Sequence, residues 1–286
     1  MALYERLPAR QPDRPALVVG LEGWVDAGLG STSATAALLG SIPTEVLATF
    51  DGDYLIDQRA RRPVLRIVDG LNAGLTWPEI RLLVGEDRQG NDIVFLVGPE
   101  PDLHWRPFVA GVLELAQQLD VRLAVGLGAF PAAAPHTRPV RLAATATSTE
   151  LASRIGVVPG TLEVPAGIEA ALEQGFATAD IPAIGLWARV PHYVAAMPYP
   201  AASAALIDGL AKIADLTLES SGLHAAADVT RTRVDELIAQ SSEHKDMVTQ
   251  LEDNIDAAEG TPLNLGPLPS GDEIAAELER YLRGER

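Results

Sequence analysis

Short apolar runs bounded by turn residues recur along the chain at Ala16–Leu21, Glu45–Phe50, Val64–Val68, Ile93–Val97, Leu123–Leu127 and Ala183–Leu186. Each has the length and texture of a buried strand. Between them the apolar spacing switches to three and four, which predicts helices over Ser31–Leu39, His104–Leu119, Ser148–Ile155, Gly167–Phe176 and Ala201–Leu216. Alternating strands and helices predict a largely parallel sheet covered on both faces. The segment Pro78–Val97 departs from that rhythm: Arg88-Gln89-Gly90-Asn91-Asp92 joins two strand-like runs directly, which predicts a hairpin and a mixed sheet.

The pattern changes after about Leu218. From Asp215 to Glu259 there are eleven acidic and three basic residues, and glycine is confined to Gly222. A three-four seam runs through Leu223, Ala227, Thr230, Val234, Leu237, Ser241, His244, Val248, Leu251, Ile255 and Ala258, with eight apolar members. The polar pair Ser241 and His244 sets register or marks a break between two helices. A Pro-punctuated linker, Thr261–Pro269, then leads to a last helix through Leu282. The division expected is an α/β/α domain over 1–218 and an acidic helical region over 219–286, which folds back on the domain or pairs with another protomer.

Composition narrows the function. With 47% apolar and 21% charged residues the 286-residue chain has the make-up of a globular protein able to bury a full core. A formal charge of −17 repels phosphate backbones, and the short Arg59, Arg61, Arg62 group is the one basic cluster, so neither nucleic acid nor an anionic membrane is an expected partner. No apolar run reaches the roughly 20 residues a spanning helix needs. The start Met1-Ala2-Leu3-Tyr4-Glu5-Arg6 lacks the features of a secretory signal, which gives a cytoplasmic expectation. The absence of cysteine excludes disulfides, thiolate nucleophiles and Cys-based zinc sites, and the two lysines, Lys212 and Lys245, fall in helical patterns. Gly-x-Ser-x-Gly, His-Glu-x-x-His and Walker-type signatures are all missing.

Four loops at predicted strand ends carry the candidate chemistry. In Glu22–Ser31, Gly28 and Gly30 precede hydroxyl residues at a helix start and could form an anion site, although Glu22 and Asp26 bring negative charge to the same place. A dinucleotide reading with Asp51 as the ribose acid fits poorly, since Ser33 holds the third glycine position. Close helix-to-sheet packing is the plainer use of those glycines. In Gly98–Trp105, Asp102 is placed to cap the following helix and Glu100, held between prolines, is the freest carboxylate. The last two loops carry Pro135-His136-Thr137-Arg138-Pro139 and Val190-Pro191-His192-Tyr193, each after a strand of similar texture. Neighbouring strands would bring His136 and His192 to one sheet edge, where Glu100 or Asp26 could complete an acid-base pair or a two-histidine, one-carboxylate set. Structural histidines are the commoner alternative.

Taken together, Gly23-Trp24-Val25-Asp26-Ala27-Gly28, Phe50-Asp51 with Tyr54 to Pro63, Gly98–Asp102 and the two Pro-His loops resemble the proteasome assembly chaperone family, in the branch of its second chaperone and especially its actinobacterial members. The resemblance implies a three-layer α/β/α sandwich with a mixed, mostly parallel sheet, similar to phosphorylase/hydrolase-like folds, plus a C-terminal helical extension. It further implies homo-oligomers, trimeric or higher, and assistance to proteasome α subunits, with no catalytic residues, cofactor or metal. A penultimate tyrosine that docks into the α ring in relatives is not matched, because Tyr281 is followed by five residues. The expected function is therefore a non-enzymatic oligomeric protein-binding factor, with Trp24, Asp26, Gly28, Glu100, Asp102, His136, Arg138, His192 and Tyr193 as its candidate ligand or partner surface. The alternative is a small-ligand binder or phosphorylase/hydrolase-like enzyme using the same strand-end loops.

Overall fold

The computed structural model describes residues 3–157 and 160–258. Its centre is an eight-stranded sheet of β1 (Tyr4–Arg6), β2 (Ala16–Glu22), β3 (Glu45–Phe50), β6 (Arg81–Glu86), β7 (Asp92–Pro99), β8 (Leu123–Ala132), β9 (Leu142–Ala146) and β10 (Ala183–Pro191), in the order β1-β3-β6-β7-β2-β8-β10-β9. The four central strands β7, β2, β8 and β10 are parallel to one another, and both flanks pair antiparallel. Strand β3 also runs with the central four, so most strands share one direction, as expected. The predicted hairpin is present as β6 and β7, and two edge strands, β1 and β9, add antiparallel pairings that short polar or alanine-rich segments did not announce.

The pleat sorts each central strand onto two cores. Ala16 and Val18 of β2 and Ile93, Phe95 and Val97 of β7 belong to one core, with α1 (Gly30–Ser41) and α6 (Pro200–Ala214) above it. Leu17, Val19 and Leu21, with Val94 and Leu96, belong to the other, beneath α3 (Trp105–Gln118) and α5 (Ile168–Thr178). Burial on both faces explains why these strands read as continuous apolar runs rather than alternating ones. Shorter helices α2 (Gly52–Leu55) and α4 (Thr149–Ser153) complete the connections. After α3, α5 and α6 the chain turns through Asp120, Asp180 and Asp215, all in the left-handed region, with φ of 51°, 56° and 53°. A short polar side chain tolerates that turn, and each such aspartate ends a helix.

One expectation fails. The Val64–Val68 run is a strand but not a buried one: β4 (Val64–Val68) and β5 (Leu71–Thr76) form a separate antiparallel ribbon outside the main sheet. Its turn is Asp69-Gly70, both at positive φ, as a tight two-residue hairpin requires. Val64, Ile67 and Leu71 are 69%, 62% and 73% exposed.

The acidic region folds back. Helices α7 (Ser221–Ile238) and α8 (Ser242–Ala258) break at Ala239–Ser241. Of the eleven seam positions, Val234, Val248 and Leu251 are buried, whereas Leu237 is exposed. The stripe thus continues across the break onto α8, and its exposed members, Leu237 and His244, flank the break itself. The expected linker, last helix and Tyr281 lie outside the described residues.

Candidate functional site

The strand-end loops meet at the carboxyl ends of β2, β7, β8 and β10, where parallel strands align their exits. Strands β8 and β10 pair in register to Ala132 and Pro191, so the two Pro-His loops leave the sheet side by side. Both histidine rings stand edge-on to Tyr193, with centroids 5.7 Å away for His136 and 5.3 Å for His192.

They do not form a catalytic pair. The His136 side chain is 1% exposed, with Nδ1 2.7 Å from the Tyr193 hydroxyl and Nε2 2.9 Å from Asp235 Oδ1 on α7. The same hydroxyl accepts the His136 backbone N–H at 2.8 Å. The Tyr193 hydroxyl and the Asp235 carboxylate thus engage both ring nitrogens and hold the ring in place. Burial pushes the Tyr193 hydroxyl up to about 12. His192 is exposed on its turn. Among the described residues no three His, Asp or Glu side chains could hold a metal ion.

Arg138 is also engaged with the helices. Its Nη2 lies 2.7 Å from Asp256 and its Nη1 3.0 Å from Glu252, both on α8, and Thr137 Oγ1 donates to Glu252. The Asp256 bond, with its charge and that of Glu252, raises the guanidinium further above its ordinary range. The Pro-His-Thr-Arg-Pro loop is thus the anchor of α7 and α8.

Asp26 and Glu100 play capping roles at other helix starts. Asp26 accepts the Ser31 and Thr32 backbone N–H groups at 2.7 and 2.9 Å, so the chain's own carboxylate occupies the anion position at the start of α1. Gly28, at φ 63°, is buried, and a Cβ there would meet the Tyr199 side chain at 2.7 Å; it serves packing and offers no ligand surface. Glu100, 7% exposed rather than free, accepts the Ile168 N–H at 2.6 Å at the start of α5. Asp102 does not cap α3, whose N-cap position is His104 without a side-chain bond. It accepts instead from the Asp57 N–H at 3.0 Å and Arg61 Nε at 3.2 Å, tying down the approach to the ribbon.

Trp24, Asp26, Glu100 and Arg138 converge on one cavity of about 1490 Å³, which Glu169, Trp187 and Arg189 also line. His136, His192 and Asp102 are not part of its wall. Burial, followed by the negative charges of Asp26, Glu100 and Glu173, pushes the Glu169 carboxyl well above the ordinary range. Glu173, one helical turn on, is raised by burial although it accepts from Thr145 Oγ1 at 2.7 Å. At Arg189 burial lowers the guanidinium, and Arg141 adds like-charge repulsion. Two patterns in the sequence carried these residues: glutamates four apart on α5, and Gly185-x-Trp187-x-Arg189 along one face of β10.

Comparison with known proteins bears on this arrangement. The PAC2 family model matches residues 20–238. A Corynebacterium glutamicum protein of unknown function shares 31% identity and superposes with a TM-score of 0.83, over 91% of this chain and 99% of that one. Mycobacterium tuberculosis Rv2714, also of unknown function, shares 35% identity at a TM-score of 0.83, over 90% and 92% of the two chains. Rv2125 of the same organism, described as a proteasome-assembly chaperone homologue, shares 34% identity at a TM-score of 0.76, over 82% and 99%. No curated protein sequence matches the chain. With the family model spanning most of the sequence and the fold shared by these actinobacterial structures, the chain belongs to the PAC2 family.

Proposed function

We propose that the protein is a non-enzymatic, protein-binding factor that works in the cytoplasm as a homo-oligomer of three or more copies and assists proteasome α subunits. The observation that carries this reading is the β4–β5 ribbon. Its apolar residues face solvent on both strands, and two-stranded ribbons are marginal in water without a surface to pack on. Arg59, Arg62 and Arg66, all exposed, accompany them on a chain of formal charge −17. A second copy of the same chain offers the matching acidic surface, so self-association buries the ribbon and pairs its charge. The relationship to Rv2125 supports proteasome subunits as the client class.

Light-scattering mass on the full chain tests the first half. The wild type is expected at a trimer or larger and Ile67→Glu with Leu71→Glu at a lower mass, with thermal stability of the α/β core retained; a monomeric wild type at tens of micromolar overturns it. For the client, a tagged chain is expected to recover proteasome α subunits reproducibly, and recovery of itself alone counts against that half.

A further inference from the structure

The cavity at the strand ends has two chemically opposite ends. At one, the Glu169 Oε1 atom is fully buried and has no hydrogen-bonding partner in the protein, while the carboxyl accepts from the Leu127 backbone N–H. Asp26, Glu100 and Glu173 surround it with further negative charge. At the other, Arg189 Nε is equally buried and equally without a partner, and Arg141 adds positive charge. A buried polar atom left unbonded costs on the order of 1–3 kcal/mol, and both residues that carry one line this cavity, so its two ends are electrostatically unmet.

The span between the ends follows from the strand. Gly185, beside which Glu173 lies, and Arg189 are four residues apart on one face of β10, about 13 Å of strand. Between them on that face is Trp187, its indole laid against Gly128 of β8 where a Cβ would collide with the ring. Gly126, Gly128 and Gly185 leave the sheet bare of side chains there, so the floor is a flat indole surface between an acidic and a basic end. Trp24, 61% exposed, supplies a second aromatic wall near Glu100.

We propose that this cavity binds a zwitterionic small molecule, with an organic ammonium group at Glu169, a carboxylate at Arg189, and an apolar body lying across Trp187. The charge pattern selects that class. A dianion is repelled by the carboxylates of Asp26, Glu100 and Glu173 at one end, and a dication leaves Arg189 unmet at the other. An ammonium group brought to the Glu169 carboxyl is favoured by the same negative charges that oppose ionisation of an isolated Glu169. Indole faces favour an ammonium further. The site is independent of the ribbon and of any client.

Calorimetric titration of the full chain tests this with four probes: ω-aminooctanoate, ω-aminobutanoate, octylamine and octanoate. The expected result is saturable binding of aminooctanoate, at least about tenfold tighter than any of the others, since aminobutanoate is too short to span and the remaining two each lack one charged end. Glu169→Gln, close to isosteric, is expected to weaken aminooctanoate and octylamine about tenfold and to spare octanoate; Arg189→Gln is expected to weaken aminooctanoate and octanoate and to spare octylamine. Absence of saturable binding by aminooctanoate, affinity that follows chain apolarity alone, or unchanged affinity in Glu169→Gln overturns the proposal. The probe comparison on the wild type requires no variant to fold.

Discussion

Glu169 gives a stability effect whose sign and slope follow from its surroundings. Burial first, then the charges of Asp26, Glu100 and Glu173, hold its carboxyl well above the ordinary range. Below the ordinary carboxyl pKa both folded and unfolded chains hold the proton, and the raised value has no effect on stability. Above it the unfolded chain ionises while the folded chain keeps its proton, so stability falls with rising pH until the raised value is passed. One proton's difference sets the slope at up to about 1.4 kcal/mol per pH unit. Glutamine cannot ionise, yet keeps an acceptor for the Leu127 N–H. Glu169→Gln should therefore match the wild type near pH 4 and become progressively more stable relative to it as pH rises toward the raised value. With about 1 kcal/mol worth roughly 2–4 °C in a chain of this order of size, the two melting temperatures should separate by about 3 °C per pH unit over the steep part. Thermal unfolding of both proteins across that range, at constant ionic strength, measures the difference directly, and groups common to both cancel. A difference that is flat with pH, or a variant that loses ground as pH rises, would refute a buried neutral carboxyl.

Three further outcomes follow from single contacts. Asp87 is 6% exposed; burial pushes its carboxyl up, but bonds from the Thr217, Asn91 and Gln89 amides outweigh that and hold it below the ordinary range. Asp87→Ala should cost about 2–3 kcal/mol in urea unfolding above the ordinary carboxyl pKa, and that loss should shrink as pH falls through the lowered value, where the wild type gives up the same contribution. Gly98 sits at φ 121° with the Glu79 carbonyl where a Cβ would be, so Gly98→Ala should cost about 3 kcal/mol, read as a lower urea midpoint at unchanged slope. Arg138→Ala removes the cation that meets Glu252 and Asp256, and should speed amide hydrogen exchange along α8 while leaving β8 protected.

What could be read ahead of the structure depended on whether a signal was local. Strands buried on both faces are continuous apolar runs, and β2, β7, β8 and β10 were legible for that reason. The same signal misplaced Val64–Val68, because an apolar run that faces solvent on a ribbon is spelled like one that faces a core; Asp69-Gly70, a strong two-residue turn, was the cue to its partner strand. Strand β9, Leu-Ala-Ala-Thr-Ala, has too little bulk to stand out. In the site, Trp24, Asp26, Glu100 and Arg138 were legible as strand-end residues. Glu169, Glu173 and Arg189 were not, because a charged residue within a helix or strand is by default solvated, and its burial depends on what the sheet places opposite. The Pro-His pairs converge as their strands predict, yet Asp235, 99 residues from His136, determines that the ring is an anchor rather than a reagent.

That anchoring changes what the acidic helices mean. Eight acids on two helices suggest a surface held out to a partner, but the loop after β8 answers them from within the chain: His136 meets Asp235, Thr137 and Arg138 meet Glu252, and Arg138 meets Asp256. Val234, 2% exposed, belongs to the same core as α1 and α6, so α7 covers part of the hydrophobic interior. Removing residues 219–286 would strip that cover and leave His136 Nε2 without its partner, and a chain so shortened should lose thermal stability before its assembly can be judged. The ribbon makes no such contribution to the interior: β4 and β5 pair only with each other, and their apolar residues are already exposed. Substitutions at Ile67 and Leu71 should therefore alter oligomeric mass with little change in melting temperature, while substitutions at Val234 should do the reverse. Opposite responses of mass and stability at the two places would separate the surface that meets other copies from the helices that close the fold.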